Sequence, residues 1–181
     1  MKDRLVICND DGIQMLHHCV PGQVETSVQQ WVDFFLLECG VDVFAFCTAR
    51  PDKTHHETQV GERDYDFMEL APAQAQLHYK EVLDELRDQG TDILKVVTDR
   101  VHHHGRRVMA SVRMSDVHHA SEMYRSLTPK IMLDHPEWRI VQDDGHVDVA
   151  LDYTFEGVRE HRLAILEEIV TNYDVDGLEL D

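Results

Sequence analysis

The chain has 181 residues, 43% of them hydrophobic, which is enough for one packed core and unlike collagen, a disordered tract or a disulfide scaffold. Its 35 acidic and 17 basic residues leave a formal charge of −18, which disfavours nucleic acid and anionic membrane and favours neutral or cationic ligands. Thirteen histidines soften that charge near pH 6, and the longest apolar runs are too short to span a bilayer.

The first element in chain order is Arg4-Leu5-Val6-Ile7-Cys8, short, apolar and β-branched, stopping at the polar turn cluster Asn9-Asp10-Asp11-Gly12. That is the pattern of a buried parallel strand and its loop. Val28, Trp31, Val32, Phe35, Leu36 and Cys39 then recur at helical spacing, with Gly40 placed to end the helix. Val41 to Cys47 repeats the strand signature, and the polar stretch from Thr48 to about Met68 reads as a long loop of the kind that carries function.

Two helical segments follow, from about Ala73 to Gln89 and from about Asp92 to His104, the second ended by Gly105. Arg107 to Arg113 is the third strand, followed by a polar stretch with a short helix near Ser121 to Tyr124 and the His135-Pro136-Glu137-Trp138 segment. From about Glu156 one helical face is formed by Val158, Arg162, Ile165, Leu166, Ile169 and Val170, and Asp174 to Asp181 supplies the fourth strand.

Strand and helix alternate four times, which argues for a parallel sheet with right-handed crossovers, and no phosphate-binding glycine fingerprint follows strand one. The reading is an α/β fold of one domain over residues 1–181: a parallel (β/α) half-barrel, strands one to four of a (β/α)₈ barrel. A complete barrel of roughly 250 residues would continue past Asp181. The chain is therefore expected to be the first part of a longer protein, catalytically silent alone, with exposed sheet edges through which two copies could also pair as a homodimer.

Chemistry in such a barrel sits just past the strand C-termini. Candidate substrate-binding residues there are Asn9 and Asp10 after strand one and Arg113, Asp116 and His118 after strand three; Thr48 and Arg50 are the polar residues past strand two. On strand four, alternation puts Leu178 and Leu180 on one face and Gly177, Glu179 and Asp181 on the other. Glu179 and Asp181 thus form a carboxylate pair suited to acid–base or nucleophilic work.

Cys8, Cys19, Cys39 and Cys47 lack C-x-x-C spacing and read as free, inert thiols of a reducing, cytoplasmic protein. The histidine pairs and His102-His103-His104 have no zinc-motif spacing, so neither a metal nor another cofactor is expected.

Several segments together resemble the family-ten-like glycosyl hydrolases: Asn9-Asp10-Asp11-Gly12, Val60-Gly61-Glu62, Ser111 to His118, Asp134 to Trp138, Leu151-Asp152-Tyr153 and Tyr173 to Asp181. The resemblance implies a barrel hydrolase of O-glycosidic bonds and a carbohydrate substrate. Asp176-Gly177-Leu178-Glu179-Leu180-Asp181 is also similar to the strand-four D-G-x-x-x-D pattern of α-amylase-type and α-galactosidase-type barrels, which implies Asp181 as nucleophile. Barrels with a glutamate after strand four imply Glu179 instead. Two other functions fit the residues: a non-catalytic sugar-binding module using Asn9, Arg113, Asp116 and Trp138, and a metal-dependent hydrolase using Asp10, Asp116, His118 and Asp181.

Overall fold

The computed structural model describes residues 4–66 and 74–181. The expected loop end at Met68 and helix start at Ala73 lie outside them. Four strands form the parallel part of one sheet: β1 (Ile7–Asp10), β2 (Val43–Ala49), β5 (Arg107–Val112) and β8 (Gly177–Leu180). Each pairs in parallel with the next, β1 with β2, β2 with β5 and β5 with β8, so chain order and spatial order coincide. β1 begins later than the hydrophobic pattern indicates: Leu5 and Val6 precede it and are exposed at the sheet edge.

The connections are helical. After β1 come α1 (Ile13–His18) and α2 (Val24–Asp33), the latter continued by a π-turn over Phe34–Glu38 and stopped at Gly40, whose φ of 68° suits a glycine. β2 leads to α3 (Gln74–Asp88) and α4 (Ile93–His103), where the Asp92 carboxylate accepts from Lys95 N at 2.9 Å and caps the helix. β5 leads to α6 (Glu156–Asn172). Val28, Val32, Leu86, Val97, Ile165 and Ile169 pack from these helices onto Phe44, Phe46, Val108, Ala110 and Val112, and this buried layer is the core.

The loops contain structure that hydrophobic periodicity does not reveal. The segment after β2 folds back as β3 (Lys53–Thr54), antiparallel to the end of β2, and then pairs with β4 (Glu62–Arg63). Its residues Pro51 to His56 are polar for the most part and yet buried. The segment after β5 holds short 3₁₀ turns, α5 (Lys130–Asp134) and a hairpin of β6 (Arg139–Val141) with β7 (Val147–Leu151).

The sheet is strongly curved. In a flat sheet β1 and β8, with two strands between them, would lie about 14 Å from each other. Yet the Asn9 amide donates to the Glu179 carboxylate across the face opposite the helices. That face is therefore concave, with small residues, Ala45 and Ser111, on the strands between. Among the described residues, the outer edges of β1 and β8 pair with nothing, and Ile7 and Leu180 are exposed there. No described helix is long and apolar enough to cross a membrane.

Close backbone packing fixes the loop after β2. A Cβ on Gly61 would sit 2.6 Å from the Asp52 carbonyl oxygen and 3.3 Å from Thr54 Cγ2. Gly61→Ala is expected to lower unfolding free energy by about 1–3 kcal/mol, read from the urea midpoint. An unchanged midpoint would show that the loop yields freely.

Candidate functional site

The C-terminal ends of the four parallel strands meet at Arg113. Arg113 continues β5 by one residue, and its main chain is pinned on both sides: its N–H donates to Ala49 O at 2.8 Å and its carbonyl accepts from Arg162 Nη2 at 2.7 Å. Asp181 continues β8 in register beside it, its N–H on Val112 O at 3.0 Å and its carbonyl receiving Met114 N at 2.6 Å.

Three carboxylates from three strand ends converge on Arg113. Nη2 donates to Asp11 from the loop after β1, Nη1 donates to Asp116 at 3.2 Å, and Nε lies 3.7 Å from Asp181 Oδ2. Asp116 has only 5% of its side chain exposed, whereas Asp181 is 61% exposed. Burial opposes ionisation of Asp116, but the N–H and ring of His118 at 2.9 and 2.8 Å, Arg50 and Arg113 outweigh it and hold the carboxyl below its ordinary range. Burial likewise works against the charge on Arg113, which its acidic neighbours raise above the ordinary value.

A second ion pair stands behind the first. Arg50 donates to Asp64, which is fully buried, and His55 Nε2 lies 3.1 Å from the same carboxylate. Burial disfavours the charge on Asp64, yet Arg50 and His55 keep its carboxyl well below the usual range. Arg162, buried in α6, donates to the carbonyls of Arg50, Pro51 and Arg113, so one helix holds the backbone of both site arginines.

Of the residues singled out from sequence, Arg113, Asp116, His118 and Asp181 line one cleft of 650 Å³ together with Tyr124. Asn9 and Glu179 meet each other on the concave face, outside that lining. Asp10 lies apart: its carboxylate accepts from Gly12 N and from Trp31 Nε1, both at 2.6 Å, and it is buried on the helix side. It ties β1 to α2, which separates it from the other groups of the metal-dependent reading. Among the described residues no three His, Cys, Asp or Glu side chains converge to hold a metal ion.

Trp138 stacks on His135 at 3.9 Å, packs against Gly157 and takes no part in lining the cleft. Thr48 bonds to His56 at 2.8 Å within the buried loop. The thiols of Cys8, Cys19 and Cys47 are pushed up by burial, to about 11, 12 and 11. Sequence reading missed Asp64, His55 and Tyr65 at the site, and it placed Arg162 on a packing face without a role. A charged residue inside an otherwise apolar helical stripe was the available signal for Arg162.

A family model described as glycosyl hydrolase-like 10 matches residues 62–181. Among solved structures, the fold is similar to that of the maltogenic alpha-amylase AmyB from Thermotoga neapolitana, with a TM-score of 0.54 and 17% identity over 98% of this chain. It is also similar to an alpha-amylase from Lactobacillus plantarum, with a TM-score of 0.50 and 17% identity, again over 98% of this chain. The chain spans 38% of each of those two structures. No curated protein sequence matches it.

The Asp116 pairing has a pH signature. Its folded-state pKa is lowered, so its stabilising contribution is present above the unfolded value of about 3.9 and disappears as pH falls through the folded value. Asp116→Asn is expected to be less stable by about 1–3 kcal/mol at pH 7, with the gap closing below pH ~4. Chemical denaturation at both pH values checks this; a gap of equal size at pH 7 and in acid would show that ionic pairing is not its source.

Proposed function

We propose, since this chain belongs to the glycosyl hydrolase-like 10 family, that it forms strands one to four of a (β/α)₈ barrel that hydrolyses O-glycosidic bonds, with Asp181 as the nucleophile. The observation that carries the assignment is the position of Asp181. It stands at the C-terminal rim of β8, exposed to the cleft, with Arg113 Nε 3.7 Å from its carboxylate. Glu179 is the weaker candidate because its carboxylate is engaged by Asn9 on the concave face and is not part of the cleft lining.

In this reading the Asp181 carboxylate attacks the anomeric carbon while a general acid protonates the departing glycosidic oxygen, and water then hydrolyses the glycosyl ester. Asp116 is unsuited to the acid role, because its neighbours favour the carboxylate. A later strand of the barrel supplies the acid, about 5 Å from Asp181. Arg113, Asp116 and His118 bind and orient the sugar, and Asn9 positions Glu179. Asp10 serves the fold. The likeness to two alpha-amylase structures supports the fold, and the family supports the glycosidic chemistry.

The test is release of reducing sugar by the barrel that contains these four strands. Asp181→Asn is expected to lower kcat by about 10³-fold or more with a small change in KM, and Glu179→Gln is expected to cost much less. Turnover unchanged in both variants would overturn the carboxylate assignment, and sugar affinity without product release would point to a binding module.

A further inference from the structure

The cleft continues past Asp181. A second lobe of 440 Å³ shares Arg113, His118 and Tyr124 with the first and extends over the ends of β1 and β2, where Asp11, Arg50, Tyr65 and Tyr79 line it. Tyr65 and Tyr79, both buried, underlie this lobe, their ring centroids 5.7 Å apart at 56°. Tyr65 holds a φ of 66°, the left-handed region that an aromatic residue adopts only when its surroundings impose it. Tyr124 stands at the junction of the two lobes, 41% exposed, its ring edge-on to His118 at 6.1 Å.

The charges in this groove are committed to one another. Arg50 is paired with Asp64, Arg113 with Asp11, Asp116 and Asp181, and the His118 ring with Asp116. Carboxylates outnumber guanidiniums, and the two most exposed charged groups at the node, Asp11 and Asp181, are both acidic. A ligand carboxylate or sulfate entering here would meet like charge and would have to break an existing pair to gain a cation. An apolar sugar face, by contrast, fits the exposed ring of Tyr124, and hydroxyl or ammonium groups fit Asp11 and its neighbours.

Resting on the glycosidase reading above, we propose that this lobe is a second sugar subsite, holding the ring next to the one at Asp181, and that it accepts neutral or amino-bearing glycans and rejects polyanionic ones. Tyr124 is the platform between the two rings, and Asp11 is the group that turns acidic sugars away.

Calorimetry on the chain with three tetrasaccharides tests it: maltotetraose, the fully deacetylated glucosamine tetramer and the galacturonic acid tetramer. The first two are expected to bind, the glucosamine tetramer weakening with added salt and maltotetraose not. The galacturonic acid tetramer is expected to bind at least about tenfold more weakly. Tyr124→Ala should weaken the two bound tetramers about tenfold, with recovery in Tyr124→Phe. Asp11→Lys should restore binding of the galacturonic acid tetramer. Both substituted residues are exposed, and circular dichroism confirms that each variant is folded. Binding of the acidic tetramer as tight as the others, affinity indifferent to Tyr124→Ala, or no binding of any tetramer would each overturn the subsite. Failure of the nucleophile assignment is read separately, from turnover in Asp181→Asn.

Discussion

Three carboxylates brought to one point repel one another, and the cleft exists because the Arg113 guanidinium lies between them. Asp11, Asp116 and Asp181 come from loops and strand ends far apart in sequence, and each would favour a different direction if left unpaired. The planar fork of an arginine donates to two of them and lies close to the third, which a lysine ammonium could not do from one position. Asp116, nearly buried, keeps its charge through the His118 N–H and ring, Arg50 and this guanidinium together. The exposed Asp181 is placed by its main-chain pairing with Val112 and Met114, which brings it beside the same group.

Arg113 is itself held from below. Arg162 sits in the apolar stripe of α6 and donates to main-chain carbonyls of the loops after β2 and β5. It therefore couples the helix layer to the strand ends: the residue that packs α6 also sets the backbone from which Arg50 and Arg113 reach the cleft. Its Nη1 and Nη2 are met by these carbonyl oxygens, while its buried Nε has no hydrogen-bond partner among the described residues. The bulge at the end of β2, where Thr48 falls out of register with β5, turns the chain toward Arg50 at the same level.

The regular elements were legible because their chemistry is periodic. Apolar runs gave β2 and β5, three- and four-residue spacing gave α2, α3, α4 and α6, and Gly40 and Gly105 marked two helix ends. Alternation on β8 correctly separated Leu178 and Leu180 from Glu179 and Asp181. The loop after β2 was illegible for the opposite reason. Asp52, Lys53, His55, His56, Arg63 and Asp64 are buried by pairs such as Asp52 with His161, Lys53 with Glu62, His55 with Asp64 and His56 with Glu168, and a polar run of that kind carries the composition of a solvated loop. Asp10 misled in the same way, since a turn-forming aspartate and a ligand-binding one look alike until Trp31 is seen on its carboxylate.

Curvature then divides the roles of the two acids on β8. Because the sheet bends enough for Asn9 to reach Glu179 across two strands, the inner carboxylate becomes part of the concave face, satisfied by an amide from the far edge. Asp181, one pleat further along, rises to the rim where the strands diverge into loops, and there Arg113 lies beside it. A flat sheet would leave both acids equally open. The same bend thus separates the two carboxylates, with Glu179 on the concave face and Asp181 at the rim.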